Sequence, residues 1–207
     1  MRIITISRQF GSGGRELGKR LAGKLGWDYY DKQIIETLAD DHKLDAEYVK
    51  KLLSSHGWQN MQLTYKNSFS HLMFNPGIRT ELLVREREIL HEIARVGNDC
   101  VIVGRDADVI LQEEKPFRIF VCADINARLA RCMKRENERE RDLRLSEQEI
   151  LRNIRRIDRN RNRTREVLTG KRRGDGSAFD LTVNTTNWAI PALCEALSDF
   201  SLRYFEG

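Results

Sequence analysis

"IITISRQFGSGGRELGKRL", residues 3–21, reads as a strand, a loop and a helix in immediate succession. Ile3 to Ile6 is a short apolar run of strand-forming residues. Leu17, Leu21 and Leu25 then recur at four-residue spacing, the period of a buried helix stripe, and Gly26 supplies a stop. Between them lie three glycines in four positions. Glycines let backbone N–H groups converge on an anion, and the N-terminus of the following helix adds partial positive charge. Gly11, Ser12, Gly13 and Gly14 are therefore a candidate phosphate cradle. The stretch departs from the pattern G-x-x-x-x-G-K-[ST], because Arg8 stands at the first glycine, Gly14 at the lysine and Arg15 at the hydroxyl. Arg15 nevertheless brings a permanent positive charge beside the lost lysine, and a guanidinium binds two phosphate oxygens at once. Arg15 is the candidate cation of the loop; the competing reading is a glycine turn with no ligand. Glu16 reads as an ordinary first-turn acid.

Four further apolar runs, Trp27 to Tyr30, Cys100 to Val103, Phe117 to Cys122 and Phe179 to Val183, alternate with helix-like sequence. Five strands interleaved with helices predict a three-layer α/β/α fold around a five-stranded, mostly parallel sheet. One helix starts near Thr80 and carries Leu82, Leu83, Ile89, Leu90 and Ile93 ahead of Gly97. The last starts near Pro191, with Leu193, Ala196, Leu197 and Phe200 directed inward. Asp45 to Leu53 looks helical, but the residues after it have no sustained period, and 44 to about 78 reads as an insertion. Its aromatics and methionines suit a ligand cover, a contact with a second copy in a homo-oligomer, or packing on itself.

At 207 residues the chain suits one domain. No apolar run approaches the roughly 20 residues of a membrane span, and no secretory leader follows Met1, so the expectation is a cytoplasmic protein with no membrane partner. Cys100, Cys122, Cys132 and Cys194 have neither zinc spacing nor the density of a disulfide framework, and no metal-ligand set is legible. The net charge of +5 matters less than its distribution.

"VIVGRDADVI" places Arg105 and Asp106 directly after the strand Cys100 to Val103, where ligands of open parallel sheets bind. A structural ion pair at a strand end is the alternative. Asp31, after the second strand, is either the N-cap of a helix Lys32 to Ala39 or a substrate contact. Ser146 and Glu149 form a capping-box pattern that starts a helix with Ile150, Ile154 and Ile157 inward. Extending that stripe reaches Asp158 and Arg161, so charge replaces apolar residues on the inner face. From Arg152 to Arg173 there are ten Lys and Arg residues, and no aromatic occurs between Phe120 and Phe179, which argues against single-strand nucleic-acid binding. Most of these arginines read as a solvated surface; Arg155, Asp158 and Arg161 read as a lid that closes over phosphate.

Taken in order, "SRQFGSGGRE", "VIVGRD", "RRIDRNRNR" and "FDLTVNTT" resemble the cytidylate kinase-like family of P-loop nucleoside monophosphate kinases. The resemblance implies a single kinase-like domain over 1–207, an NMP-binding insertion at about 44–80, an arginine-rich lid at about 135–175, and ATP with magnesium on the glycine-loop side. It implies that Arg105 and Asp106 bind the acceptor nucleotide and that Arg155, Asp158 and Arg161 act in phosphate binding and transfer. Asp31 corresponds to the acceptor loop, and Arg79 or Arg85 to a further phosphate contact. The implied activity is transfer of the γ-phosphoryl group of ATP to CMP, dCMP or a related small acceptor. The alternatives are a weakly active or inactive nucleotide sensor and a basic nucleic-acid-binding protein.

Overall fold

The computed structural model describes residues 1–32, 34–35, 76–138, 144–170 and 175–206. Apart from Lys32, Ile34 and Ile35, the expected helices Lys32 to Ala39 and Asp45 to Leu53, and the insertion up to residue 75, lie outside the described residues. Five strands, β1 (Ile3–Arg8), β2 (Asp28–Asp31), β3 (Cys100–Val103), β4 (Phe117–Cys122) and β5 (Leu181–Asn184), form one sheet in the order β2-β3-β1-β4-β5. Every pairing is parallel. The helices are α1 (Gly14–Leu25), α2 (Pro76–Val96), the one-turn α3 (Ala107–Ile110), α4 (Ile125–Asn137), α5 (Glu147–Thr169) and α6 (Ile190–Tyr204).

Alternation along the strands builds the two outer layers. Ile3, Cys100 and Ile102 face α2 and pack on Ile89, Leu90 and Ile93. Ile4, Ile6, Val101 and Val103 face the other way, against Leu17 and Leu21 of α1 and Leu193 and Leu197 of α6. Each such side chain contributes about 1.5–3 kcal/mol when fully buried, so this two-sided core fixes the strand ends that carry the site. Gly18 is needed where α1 crosses β3, because a Cβ there would lie 2.4 Å from Val103 Cγ2.

A third apolar cluster, Leu129 and Cys132 of α4 with Ile150 and Ile154 of α5, packs against Phe10 of the glycine loop. The capping box at Ser146 and Glu149 is present and starts α5. Three expectations are corrected. Phe179 precedes β5 and stacks on Phe120 at 5.1 Å between ring centres. Leu83 is 43% exposed on α2. Ala196 lies on the outer face of α6, whose buried positions are Ile190, Leu193, Cys194, Leu197, Ser198 and Ser201, while Phe200, half exposed, stacks on Phe117 at 5.8 Å between ring centres.

Candidate active site

The glycine loop leaves the central strand and enters α1 at the carboxyl end of the sheet, where parallel α/β folds bind ligands. Gly11 and Gly13 have φ of 79° and 83°, in the left-handed region that glycine reaches without strain. Gly13 is the N-cap of α1 and supplies no side-chain cap, and the N-terminus of a helix favours an anion. Ser12 is fully buried; its hydroxyl donates to the Gln9 carbonyl at 2.9 Å and its own carbonyl accepts from Thr185 Oγ1 at 2.6 Å. Ser12 therefore shapes the loop from beneath, and its hydroxyl is not directed at a ligand.

Arg15 turns toward β2. Its Nε and Nη2 lie 2.6 and 2.5 Å from Asp31 Oδ2 at the end of β2, two strands along from β1. Burial disfavours the Arg15 charge, but Asp31 and Tyr29 outweigh it and hold the guanidinium pKa above its ordinary value. Burial pushes the Tyr29 phenol well up, and Asp31 pushes it further. Asp31 also caps the next segment, accepting from the Ile34 amide at 3.3 Å.

The place of the missing lysine is taken by the stem of Arg8. A Cβ on Gly14 would lie 2.9 Å from Arg8 Cβ and 3.1 Å from Arg8 Cδ, and a Cβ on Gly104 would lie 2.5 Å from Arg8 Nη1. The Arg8 side chain thus runs from the end of β1 over Gly14 to the turn after β3.

That turn is tight. Gly104, Arg105 and Asp106 have φ of 91°, 60° and 48°, and left-handed non-glycine residues cost of order 1–3 kcal/mol each unless their surroundings impose them. The turn sends Arg105 toward α2, where its Nη1 lies 2.7 Å from Glu86 Oε1 and 2.8 Å from Oε2. Asp106 is buried and faces α5, 3.8 Å from Arg165 Nη1. Arg165 is itself buried; it bonds Asp108 Oδ2 at 2.6 Å and lies over the Phe179 ring, while Asp108 accepts from Ser7 Oγ at 3.2 Å. The Asp106 carboxylate thus meets the Arg165 and Asp108 network that seats α5 on the turn.

On α5, Asp158 Oδ1 accepts from the Phe10 amide at 2.8 Å, and Asp158 Oδ2 is paired with Arg128 of α4. Arg128 Nε also donates to the Phe10 carbonyl at 2.7 Å. Arg161 Nη1 donates to the Arg8 carbonyl at 3.0 Å, with its guanidinium over the Phe10 ring. Asp158 and Arg161 thus reach the glycine loop through its backbone. Arg155 does not: with Arg152, Arg159 and Arg163 it lies on the exposed face of the helix. Arg79 sits in α2, and its side chain is outside the described residues; Arg85 is exposed.

Magnesium finds no side-chain site among the described residues. Among the described residues no three acidic, histidine or cysteine groups converge, the hydroxyl position of the loop is an arginine, and Asp31, Glu86, Asp108 and Asp158 each hold a guanidinium.

The model of the cytidylate kinase-like family matches residues 3–187, from β1 past the end of β5. The chain belongs to that family. A cytidylate kinase of Bordetella pertussis is 26% identical over 155 residues, covering 64% of this chain and 67% of that one. One from Stutzerimonas stutzeri is 24% identical over 229 residues, covering 97% and 96%. Among solved structures, an uncharacterized protein from Eubacterium ventriosum has a TM-score of 0.70 at 19% identity, covering 97% of this chain and 98% of that one. Shikimate kinase from Bacteroides thetaiotaomicron has a TM-score of 0.53 at 15% identity, covering 96% and 97%; these two likenesses carry the fold alone. Family membership makes the chain a kinase-like phosphotransferase with a P-loop kinase fold. Among the described residues no helix is long and apolar enough to cross a membrane.

Several residues of the site escape the motifs. Arg165 continues the stripe Ile150, Ile154, Asp158, Arg161 by one more turn, and Glu86 is a carboxylate in step with Ile89, Leu90 and Ile93. Arg128 is likewise in step with Leu129 and Cys132 of α4.

Proposed function

We propose that this chain transfers the γ-phosphoryl group of ATP to a nucleoside monophosphate, with CMP and dCMP as the first acceptors to test. One observation carries the reading: amides at a helix N-terminus and guanidiniums from three separate segments meet at the carboxyl ends of adjacent strands. A phosphate oxygen of the acceptor attacks the γ-phosphorus, the bond from that phosphorus to the bridging oxygen breaks, and ADP leaves with the bridging electrons. Such a reaction needs alignment and positive charge more than covalent chemistry. The amides around Gly11 to Gly14 cradle the donor phosphates. Arg105 exchanges Glu86 for the acceptor phosphate, and Arg15 with Asp31 orients the acceptor from β2. Arg161 and Asp158 couple α5 to the loop, so the helix follows the donor and excludes water as the site closes.

The glycine loop lacks the lysine of the usual pattern, and the pairing of Arg15 with Asp31 and of Arg105 with Glu86 favours a second reading, a sensor that binds nucleotide without turnover. Steady-state transfer with each common monophosphate, for wild type and Arg105→Ala, separates the two. Labelled diphosphate from wild type, with kcat/KM reduced at least about a hundredfold in Arg105→Ala, supports the kinase. ATP binding without a labelled product supports the sensor.

A further inference from the structure

We propose that Arg8, the last residue of β1, is the cation that touches the transferring phosphoryl group, in place of the lysine that the glycine loop lacks. The proposal rests on the phosphotransferase reading and names the residue that supplies its central charge.

The argument is one of space. A loop of the usual pattern begins with a glycine at position 8 and carries its lysine at position 14, on the first turn of the helix. Here the two residue types are exchanged: the long cation is at 8 and the glycine at 14. The exchange is geometric as well as formal, since a Cβ at 14 would fall 2.9 Å from Arg8 Cβ, 3.1 Å from Arg8 Cδ and 3.2 Å from Val121 Cβ. Any side chain at 14 would displace the stem of Arg8. Gly104 clears the far end of the same path, with the guanidinium 2.5 Å from where its Cβ would stand. Two glycines from separate segments therefore make the track along which Arg8 runs.

The backbone beneath it is held on both sides. The Gln9 amide donates to the Val121 carbonyl at 3.0 Å, and the Arg8 carbonyl accepts from Arg161 at 3.0 Å. The side chain crosses from the glycine loop to the turn that carries Arg105, which are the two halves of the proposed site. Arg15 has a different assignment, because both nitrogens nearest Asp31 are committed to that carboxylate. A planar guanidinium at the seam has donors enough to bind one oxygen of the outer donor phosphate and one of the acceptor phosphate as the phosphoryl group passes between them.

The test measures ATP and ADP affinity by calorimetry, and transfer by steady-state kinetics, in Arg8→Met, Arg8→Lys, Gly14→Ala and Arg15→Met, with thermal midpoints recorded for each. Loss of a charge-assisted contact to the outer phosphate should weaken ATP binding by about tenfold or more in Arg8→Met, while ADP binding changes by less than about threefold. The kcat should fall by about a hundredfold or more, with Arg8→Lys recovering at least part of it. Gly14→Ala keeps the arginine but blocks its path, and should reproduce the loss of preference for ATP over ADP; Arg15→Met should leave that preference intact. The proposal is overturned if Arg8→Met, folded as wild type, keeps the ATP-to-ADP ratio, or if Gly14→Ala or Arg15→Met gives the opposite pattern. A wild type that transfers to no acceptor defeats the phosphotransfer reading alone, because the ATP-to-ADP ratio still decides the assignment of Arg8.

Discussion

At the amino end of the sheet Arg2 grips Asp99 at 2.5 Å, and Arg118 grips Asp180 through Nε and Nη2 at 3.1 and 2.6 Å, all on the rim. Beside them Phe117 stacks on Tyr204 at 4.2 Å and packs edge-on against Phe205, which in turn meets Trp27. At the carboxyl end arginines and carboxylates pair again, but Arg15 with Asp31, Arg105 with Glu86, Arg128 with Asp158 and Arg165 with Asp108 are less exposed and gather around the glycine loop and the turn after β3. Exposed pairs in water are worth little, and the aromatic cluster does most of the work at the amino end. Buried pairs at the carboxyl end are obligatory, since removing one partner strands a charge.

The comparison breaks most readily at Arg165, whose side chain is 4% exposed against 3% for Asp108. Asp108→Asn should cost about 3–5 kcal/mol in urea denaturation, and adding Arg165→Met should recover part of that loss, because the pair and not the net charge is what the interior requires. An additive double variant would contradict this. Below the loop, Gly18→Ala drives a methyl group into Val103 and should cost about 1–3 kcal/mol, measured the same way, with activity per folded molecule retained.

A smaller effect sharpens the amino-end side. Burial raises Asp180 and Asp99, but their hydrogen bonds and ion pairs with Arg118 and Arg2 prevail and hold both carboxyls below the ordinary value. A carboxyl whose folded pKa is depressed contributes stability above its unfolded pKa and loses it as pH falls through the folded value. From about pH 4 downward these pairs should therefore release their share of stability, and Asp180→Asn should flatten that part of the curve of thermal midpoint against pH. An unchanged slope would mean that the pair contributes nothing.

The sheet was legible because buried parallel strands are continuous apolar runs and their helices carry clean four-residue stripes. The edges of β2 and β5 were less so, since Phe179 is as apolar as a strand residue but serves a side-chain stack. In the site, glycines and arginines announced a phosphate loop, yet their spacing along the chain could not reveal the direction of a side chain. Arg15 follows the glycines but turns to Asp31, whereas Arg8 precedes them and lies across them. Glu86 and Arg165 were in register with apolar stripes; a charge in such a register is a buried partner waiting for its opposite.

The most direct measurement sets one pair from each end against the other: Arg105→Met and Arg118→Met, each assayed for thermal midpoint and for kcat/KM in phosphoryl transfer. Arg118→Met should lose about 1 kcal/mol or less and keep kcat/KM within about twofold, as an exposed ion pair does. Arg105→Met should lose at least about a hundredfold in kcat/KM, well beyond any change in its folded fraction. Equal losses of activity in the two variants, or full activity in Arg105→Met, would contradict the division between a structural end and a phosphate-binding end.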